Sequence, residues 1–318
     1  MGVENNTIAL ASAEVSSIAQ PRATVIDNRL PIILSFVAVC LIWGSTYFAI
    51  KNAILGGFPP YLMLATRFLV AGGLLYGFLR LRGVPNPPFA QWKAGAALGA
   101  FMLVGGLGSV TLAEQWVGSG LAALAVSTMP LWTVLFTRLW GYRSNRLEWS
   151  GLFVGLAGIV ILNFEGEIRA NPLGAVLLII SPISWAFGSA LSRRLTLPDG
   201  PMVSAVEMLG GGALLAILSP IIGERLTRVP DGDAIWAVGY LIVFGSLIAF
   251  LAYNYLLSHV RPALATSYAY VNPVVAIGLG GWFADEKITI FGLLALPVIL
   301  TGVALIMFAR ERSSKEAV

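Results

Sequence analysis

Leu264–Pro273 reads Leu-Ala-Thr-Ser-Tyr-Ala-Tyr-Val-Asn-Pro. It lies inside an apolar run from about Pro262 to Phe283, long enough to cross a bilayer, which takes roughly 20 residues. Tyr268, Tyr270 and Asn272 fall near the middle of that run, beside Pro273. A weaker copy stands in the first half of the chain, where Leu121–Pro130 reads Leu-Ala-Ala-Leu-Ala-Val-Ser-Thr-Met-Pro. At one common offset, Val117, Leu121, Ala122 and Pro130 match Val260, Leu264, Ala265 and Pro273. The chain therefore reads as a duplicated membrane protein organised around two proline-broken helices.

Composition agrees with that reading. Of 318 residues 57% are apolar and 11% charged, and the mean hydropathy is +0.82. A soluble domain carries about 25% charged residues, so there is too little charge here to cover a water-facing surface. The single Cys40 excludes an internal disulfide and a cysteine-built metal site. No cofactor, metal or nucleic acid is expected; the expected partners are the lipid bilayer, a small-molecule substrate and protons as a candidate coupling ion.

The hydrophobic runs predict ten spans, at about 31–51, 60–80, 94–114, 118–139, 147–163, 172–192, 201–222, 234–257, 262–283 and 288–309. Residues 1–30 lack the pattern of a signal peptide and read as a disordered cytoplasmic tail, and 310–318 as a second tail. Lys and Arg are unevenly shared between the two sides. The termini and the loops after even-numbered spans carry fourteen, the other loops five. The positive-inside rule then places both termini in the cytoplasm, as an even number of spans requires.

The two halves, 31–164 and 172–309, align further. Trp43-Gly44-Ser45 faces Trp185-Ala186-Phe187-Gly188-Ser189 at nearly the same offset, and Gly158-Ile159-Val160 faces Gly302-Val303-Ala304. Five spans per copy is odd, so the second copy lies inverted in the membrane. The fold class expected is an all-α polytopic membrane protein of ten transmembrane helices in two inverted five-helix repeats, a plan that puts a substrate site near the midplane.

Several polar and aromatic residues share that depth. Trp43, Thr46 and Tyr47 lie on one helical face, as do Trp185, Gly188 and Ser189, and Tyr268 with Asn272. With Thr128, and with Tyr253 and Asn254 on span eight, they are the candidate substrate-binding set: aromatic walls with a few hydrogen-bonding groups. The alternative reading of the same residues is helix-to-helix glue. Gly44, Pro130, Gly188 and Pro273 are candidate breaks or hinges. Arg67, Glu114, Arg138 and Glu207 are charged within or at the ends of spans, where charge is costly and a functional role is the default. Depth pairs Arg67 with Glu114 and Glu207 with Arg138, as structural ion pairs or as a proton-coupling set. Enzyme chemistry is not expected: His259 is the single histidine, and there is no His/Cys cluster or P-loop.

Ile42-Trp43-Gly44-Ser45-Thr46-Tyr47-Phe48, Ser184–Ser189 and Pro262–Val275 resemble the EamA family of the drug/metabolite transporter superfamily, and especially its YedA-type exporters. The resemblance covers about 31–309. It implies a ten-helix basket with a central cavity and alternating access, in a cell (inner) membrane, exporting amino acids, other metabolites or toxic compounds. A family glutamate after the fourth helix of each repeat is present as Glu286, whereas the first half has Gly141-Tyr142-Arg143-Ser144 there. The function expected is a secondary exporter of small amphipathic metabolites, amino acids or drugs, as monomer or homodimer. The rivals are an uncoupled facilitator, a non-transporting membrane protein, a phosphate-ester carrier (which would need more buried basic residues than Arg67) and a membrane-embedded enzyme.

The orientation is testable directly. A fluorescent reporter fused after Val318 is expected to be active and an alkaline phosphatase fusion at the same point silent; the reverse pattern would overturn the assignment of the termini.

Overall fold

In the computed structural model, residues 29–139, 146–162, 164, 171–260, 265–266, 268–283 and 290–315 are described. Residues 1–28 of the tail expected over 1–30, Gly141–Ser144 and Glu286 lie outside them, while Arg29 and Leu30 already belong to the first helix. Among the described residues the chain is all helical: α1 (Arg29–Leu55), α2 (Pro60–Leu81), α3 (Phe89–Ala113), α4 (Ser119–Val126), α5 (Met129–Leu139), α6 (Arg146–Leu162), α7 (Pro172–Leu191), α8 (Met202–Ile221), α9 (Gly232–His259), α10 (Tyr268–Phe283) and α11 (Ile290–Lys315). Seven stretches among the described residues are long and apolar enough to cross a membrane, namely α1, α2, α3, Ser119–Phe136, α7, α8 and α9. The described parts of α6 and α10 are shorter, at 17 and 16 residues.

The fourth predicted span is two helices. Ser127 and Thr128 turn the chain between α4 and α5, and their hydroxyls bond back to the carbonyls of Leu124 (2.6 Å) and Ala125 (2.8 Å). Pro130 follows in the first turn of α5, where its missing N–H leaves no helical bond unmade. Its counterpart Pro273 stands inside α10, which continues through it. Other edges shift slightly; α3 begins at Phe89, ahead of the predicted start at 94.

Polarity is distributed as lipid requires. Large apolar side chains point outward, among them Leu34, Val37 and Leu41 on α1 and Ile217 and Ile221 on α8. Buried inside are Thr46, Arg67, Thr111, Glu114, Ser181, Ser204, Glu207, Ser246 and Asn272. In water such an outer surface would be an aggregation liability; against hydrocarbon it is the favourable arrangement.

Helix pairing has an exchange symmetry. α1 packs on α9 and α10, while α7 packs on α3 and on α4 with α5. α2 packs on α9, while α8 packs on α3; α2 pairs with α8, α6 with α11 and α4 with α10. Swapping every helix for its counterpart in the other half leaves this set unchanged. The principal pairs all join one half to the other, so neither half encloses a core alone.

Small residues make these approaches close enough. A Cβ on Gly302 of α11 would lie 2.5 Å from the backbone nitrogen of Gly155 on α6, and one on Gly99 would lie 2.5 Å from that of Gly211. A Gly302→Ala variant is therefore expected to lose about 1–3 kcal/mol, read as a lowered melting temperature of the purified protein. Gly73→Ala, which meets nothing within 4 Å, is expected not to lower it.

Candidate functional site

Two helices of the fold are wound wide. Ala100–Gly108 in α3 and Leu241–Ile248 in α9 are π-helical, at nearly the repeat offset. Such turns are rare and recur at functional sites. Their glycines let the tryptophan-bearing helices approach. A Cβ on Gly106 would lie 2.9 Å from the Trp185 ring, and one on Gly245 would lie 2.8 Å from Nη2 of Arg67 and 3.1 Å from Thr46. The wide turns also accept hydrogen bonds across the halves: Trp43 Nε1 donates to the Gly245 carbonyl (3.0 Å), and the Ser184 hydroxyl to that of Phe101 (2.7 Å).

Trp43 is the hub of a buried ring cluster. Its ring centroid is 5.5 Å from Trp185, 5.3 Å from Phe250, 4.9 Å from Tyr253 and 4.9 Å from Tyr268. The contacts are tilted or edge-to-face, the arrangements that the ring quadrupole favours. The Tyr253 hydroxyl is shared with Ser189 (3.0 Å) and accepts from Trp185 Nε1 (3.5 Å). Asn272, with its amide nitrogen turned toward acceptors, donates to the Cys40 and Tyr268 carbonyls at 3.2 Å each, and Tyr47 lines the same cavity.

Trp43, Thr46, Tyr47, Arg67, Trp185, Tyr268 and Asn272 line a common central cavity. Its volume is about 40 Å3, room for a few waters and no more. The sequence leads one to expect an open central chamber at these residues; the structure fills that place with rings. Open space lies toward the ends. A vestibule of about 580 Å3 is bounded by Met102, Ser192, Ser204, Glu207, Asn254 and His259, with others of α7–α9. A more open groove of about 810 Å3, at the other end, runs along Asn52, Asp231, Trp236 and Tyr240. The vestibule falls within the usual range for small-molecule sites, roughly 300–1,000 Å3.

The remaining candidates are placed differently from expectation. Thr128 is buried but spends its hydroxyl on the turn beside α5, while its neighbours Val126 and Met129 face the cavity. Asn254 belongs to the vestibule, donating to Ser204 at 2.7 Å. Glu207 stands beside it, buried, with Oε1 lacking a hydrogen-bond partner among the described residues. The expected partner Arg138 is exposed and lies over the Trp149 ring. The reason is connectivity: α8 packs against α2 and α3, not against α5. Arg67 Nε donates to Ser246 at 2.7 Å, and its guanidinium lies over the Phe68 ring; Glu114 is buried at the end of α3. Gly44 and Gly188, expected as hinges, are points of close packing against Val275 and Met102.

Sequence reasoning missed Phe250, Ser246, Gly245 and the ties at the two ends of the helix bundle. Lys51 Nζ donates to the carbonyls of Glu114 (2.6 Å) and Val117 (3.0 Å). Arg193, the counterpart of Lys51 in the second half, donates to those of Leu257 (3.4 Å) and Val260 (3.2 Å), which are themselves the counterparts of Glu114 and Val117. These are matched caps on the C-terminal ends of α3 and α9, where cations belong. On the Lys51 side there are more ties. Glu224 accepts from the backbone nitrogens of Tyr61 (2.9 Å) and Leu62 (3.0 Å), and Arg228 donates to the Leu55 carbonyl (2.7 Å). The repeat offset applied to Lys51 and Arg193 was the available signal.

Comparison with known proteins follows the same division. The profile of the EamA-like transporter family matches residues 30–164 and 172–308. The chain is 49% identical over 282 residues to the "Uncharacterized inner membrane transporter YedA" of Escherichia coli (strain K12), covering 88% of this chain and 92% of the relative. It is 23% identical over 287 residues to the "Uncharacterized transporter YoaV" of Bacillus subtilis (strain 168), covering 88% and 98%. A solved crystal structure is similar with a TM-score of 0.64 at 25% identity, covering 88% of this chain and 98% of that one.

The cluster's polar ties can be weighed by one atom. Tyr253→Phe keeps the ring but removes the hydroxyl held by Ser189 and Trp185, and is expected to cost about 1 kcal/mol. Tyr255→Phe, whose ring stacks on exposed His259, is expected to stay within about 0.5 kcal/mol of the parent. Thermal unfolding of the purified variants reads both.

Proposed function

The chain belongs to the EamA-like transporter family, and on that premise we propose that it is a secondary transporter of the inner membrane. It exports small amphipathic metabolites, amino acids or drugs by alternating access. Ten helices cross the membrane as two inverted repeats, 31–164 and 172–309, with both termini cytoplasmic. The exchange symmetry of the helix pairs and the Lys/Arg bias of the loops support this topology. The fused halves let a monomer complete the inverted pair.

One observation carries the reading. A ring cluster contributed by α1, α7, α9 and α10 closes the centre between two hollows at opposite ends. In this topology the vestibule bounded by Ser192–Pro201 and Ser258–His259 faces the cytoplasm, so a solute for export enters there. Its passage requires Trp43, Trp185, Tyr253 and Tyr268 to part, followed by release of the Glu224, Arg228 and Lys51 ties on the outer side. The rings supply flat apolar walls in the intermediate state, and Ser189, Asn272 and Tyr47 supply polar contacts. Pro130 and Pro273 are the points where α5 and α10 bend.

Glu207 gives coupling to protons its candidate, because its buried Oε1 lacks a hydrogen-bond partner among the described residues and borders the vestibule. The competing reading is an uncoupled facilitator.

The test is flux and stabilisation with purified protein across a panel of amino acids, aromatic metabolites and cationic drugs. At least one solute is expected to raise the melting temperature and to cross proteoliposomes, with both effects lost in Trp185→Ala and Asn272→Ala. No flux across the panel would sink the transport reading. Flux indifferent to an imposed pH gradient and unchanged in Glu207→Gln would select the facilitator.

A further inference from the structure

Arg67 occupies a position that no ion pair among the described residues explains. It is 1% exposed, on a helix that crosses the membrane, and it lines the central cavity. Nε is held by Ser246, Nη2 lies where Gly245 leaves room for it, and one face rests on Phe68. Nη1 has no hydrogen-bond partner among the described residues. No acidic side chain is among the residues that line that cavity. A guanidinium cannot shed its charge, and a buried cation left without an anion is costly. Ser246, Gly245 and Phe68 fix its position, and none of the described residues that line the cavity supplies an anion.

We propose that Arg67 is the receptor for a carboxylate carried by the substrate, so that the transported solute is an aromatic or amphipathic monoanion or zwitterion whose carboxylate meets Nη1 and whose apolar body takes the place of the ring-to-ring contacts around Trp43. This deepens the transport reading and rests on it. A single guanidinium edge among apolar walls suits a monoanion; a phosphate dianion would call for several cations at the same depth. Ser246 and Gly245 are positioning residues: the π-helical turn holds the guanidinium still, which cuts the ordering cost of binding. The cavity must widen to admit the ligand, as the transport reading already requires.

The test uses three probes of one shape, 3-phenylpropionate, 3-phenylpropanamide and 3-phenylpropylamine, on the full-length protein in lipid. Thermal stabilisation and proteoliposome flux are both read. The acid is expected to bind about tenfold or more tighter than the amide. Arg67→Gln is expected to erase that preference by weakening the acid far more than the amide. Ser246→Ala, which keeps the charge but frees Nε, is expected to narrow the preference several-fold, and it serves where Arg67→Gln fails to fold. Equal affinity for acid and amide in the parent, or a preference that Ser246→Ala leaves intact, overturns the proposal. Flux of the amide or amine without preference for the acid would do so while leaving transport standing; absence of flux for every solute in the wider panel would instead remove the transport reading beneath it.

Discussion

The indole N–H of Trp43 reaches across from one half of the chain to the carbonyl of Gly245 in the other, and the centre of the molecule depends on that bond. In hydrocarbon no water can complete a polar group, so each donor must find its acceptor within the protein. The bond fixes α1 against the wide turn of α9. It thereby sets the ring of Trp43 where Trp185, Phe250, Tyr253 and Tyr268 can all touch it. The same turn receives Arg67 through Ser246. Two costly groups, a tryptophan N–H and a guanidinium, are thus held by neighbouring residues in a stretch that ordinary helical winding would have presented differently.

Much of this was legible in the residues alone. The offset that carries Pro130 onto Pro273, and the nearly equal one that carries Trp43 onto Trp185, located the residues that meet at the centre. Depth along a span follows from counting at about 1.5 Å per residue, so the tryptophans, Tyr268 and Asn272 could be put at one level. What counting cannot give is which helices are neighbours. Arg138 and Glu207 fall near the same end, but α8 is packed on α2 and α3, and Arg138 lies over Trp149. Nor does an apolar run reveal how tightly it is wound. Ala100–Gly108 and Leu241–Ile248 are more hydrophobic than the helical segments beside them, but hydrophobicity carries no mark of winding. The packed centre was equally hidden, because the same aromatic residues line an open chamber or fill a closed one.

The duplication visible in the sequence is not a division of the structure. Each half contributes helices whose principal neighbours belong to the other: α1 with α9 and α10, α7 with α3, α4 and α5, α6 with α11. Where helices associate without a hydrophobic driving force between them, contact quality decides. The closest approaches, Gly302 on Gly155 and Gly99 on Gly211, join opposite halves. Duplication supplied complementary surfaces, and the assembled core lies at their boundary.

Lys51 and Arg193 give that symmetry a further meaning. The two cations are counterparts in the repeat and cap counterpart carbonyls, yet one set of distances is 2.6 and 3.0 Å and the other 3.4 and 3.2 Å. The same kind of clasp thus stands at both ends of the molecule, the shorter one on the side where Glu224 and Arg228 add ties of their own. Because each cation belongs to its own half, a substitution at one end can loosen that end and leave the other as it is.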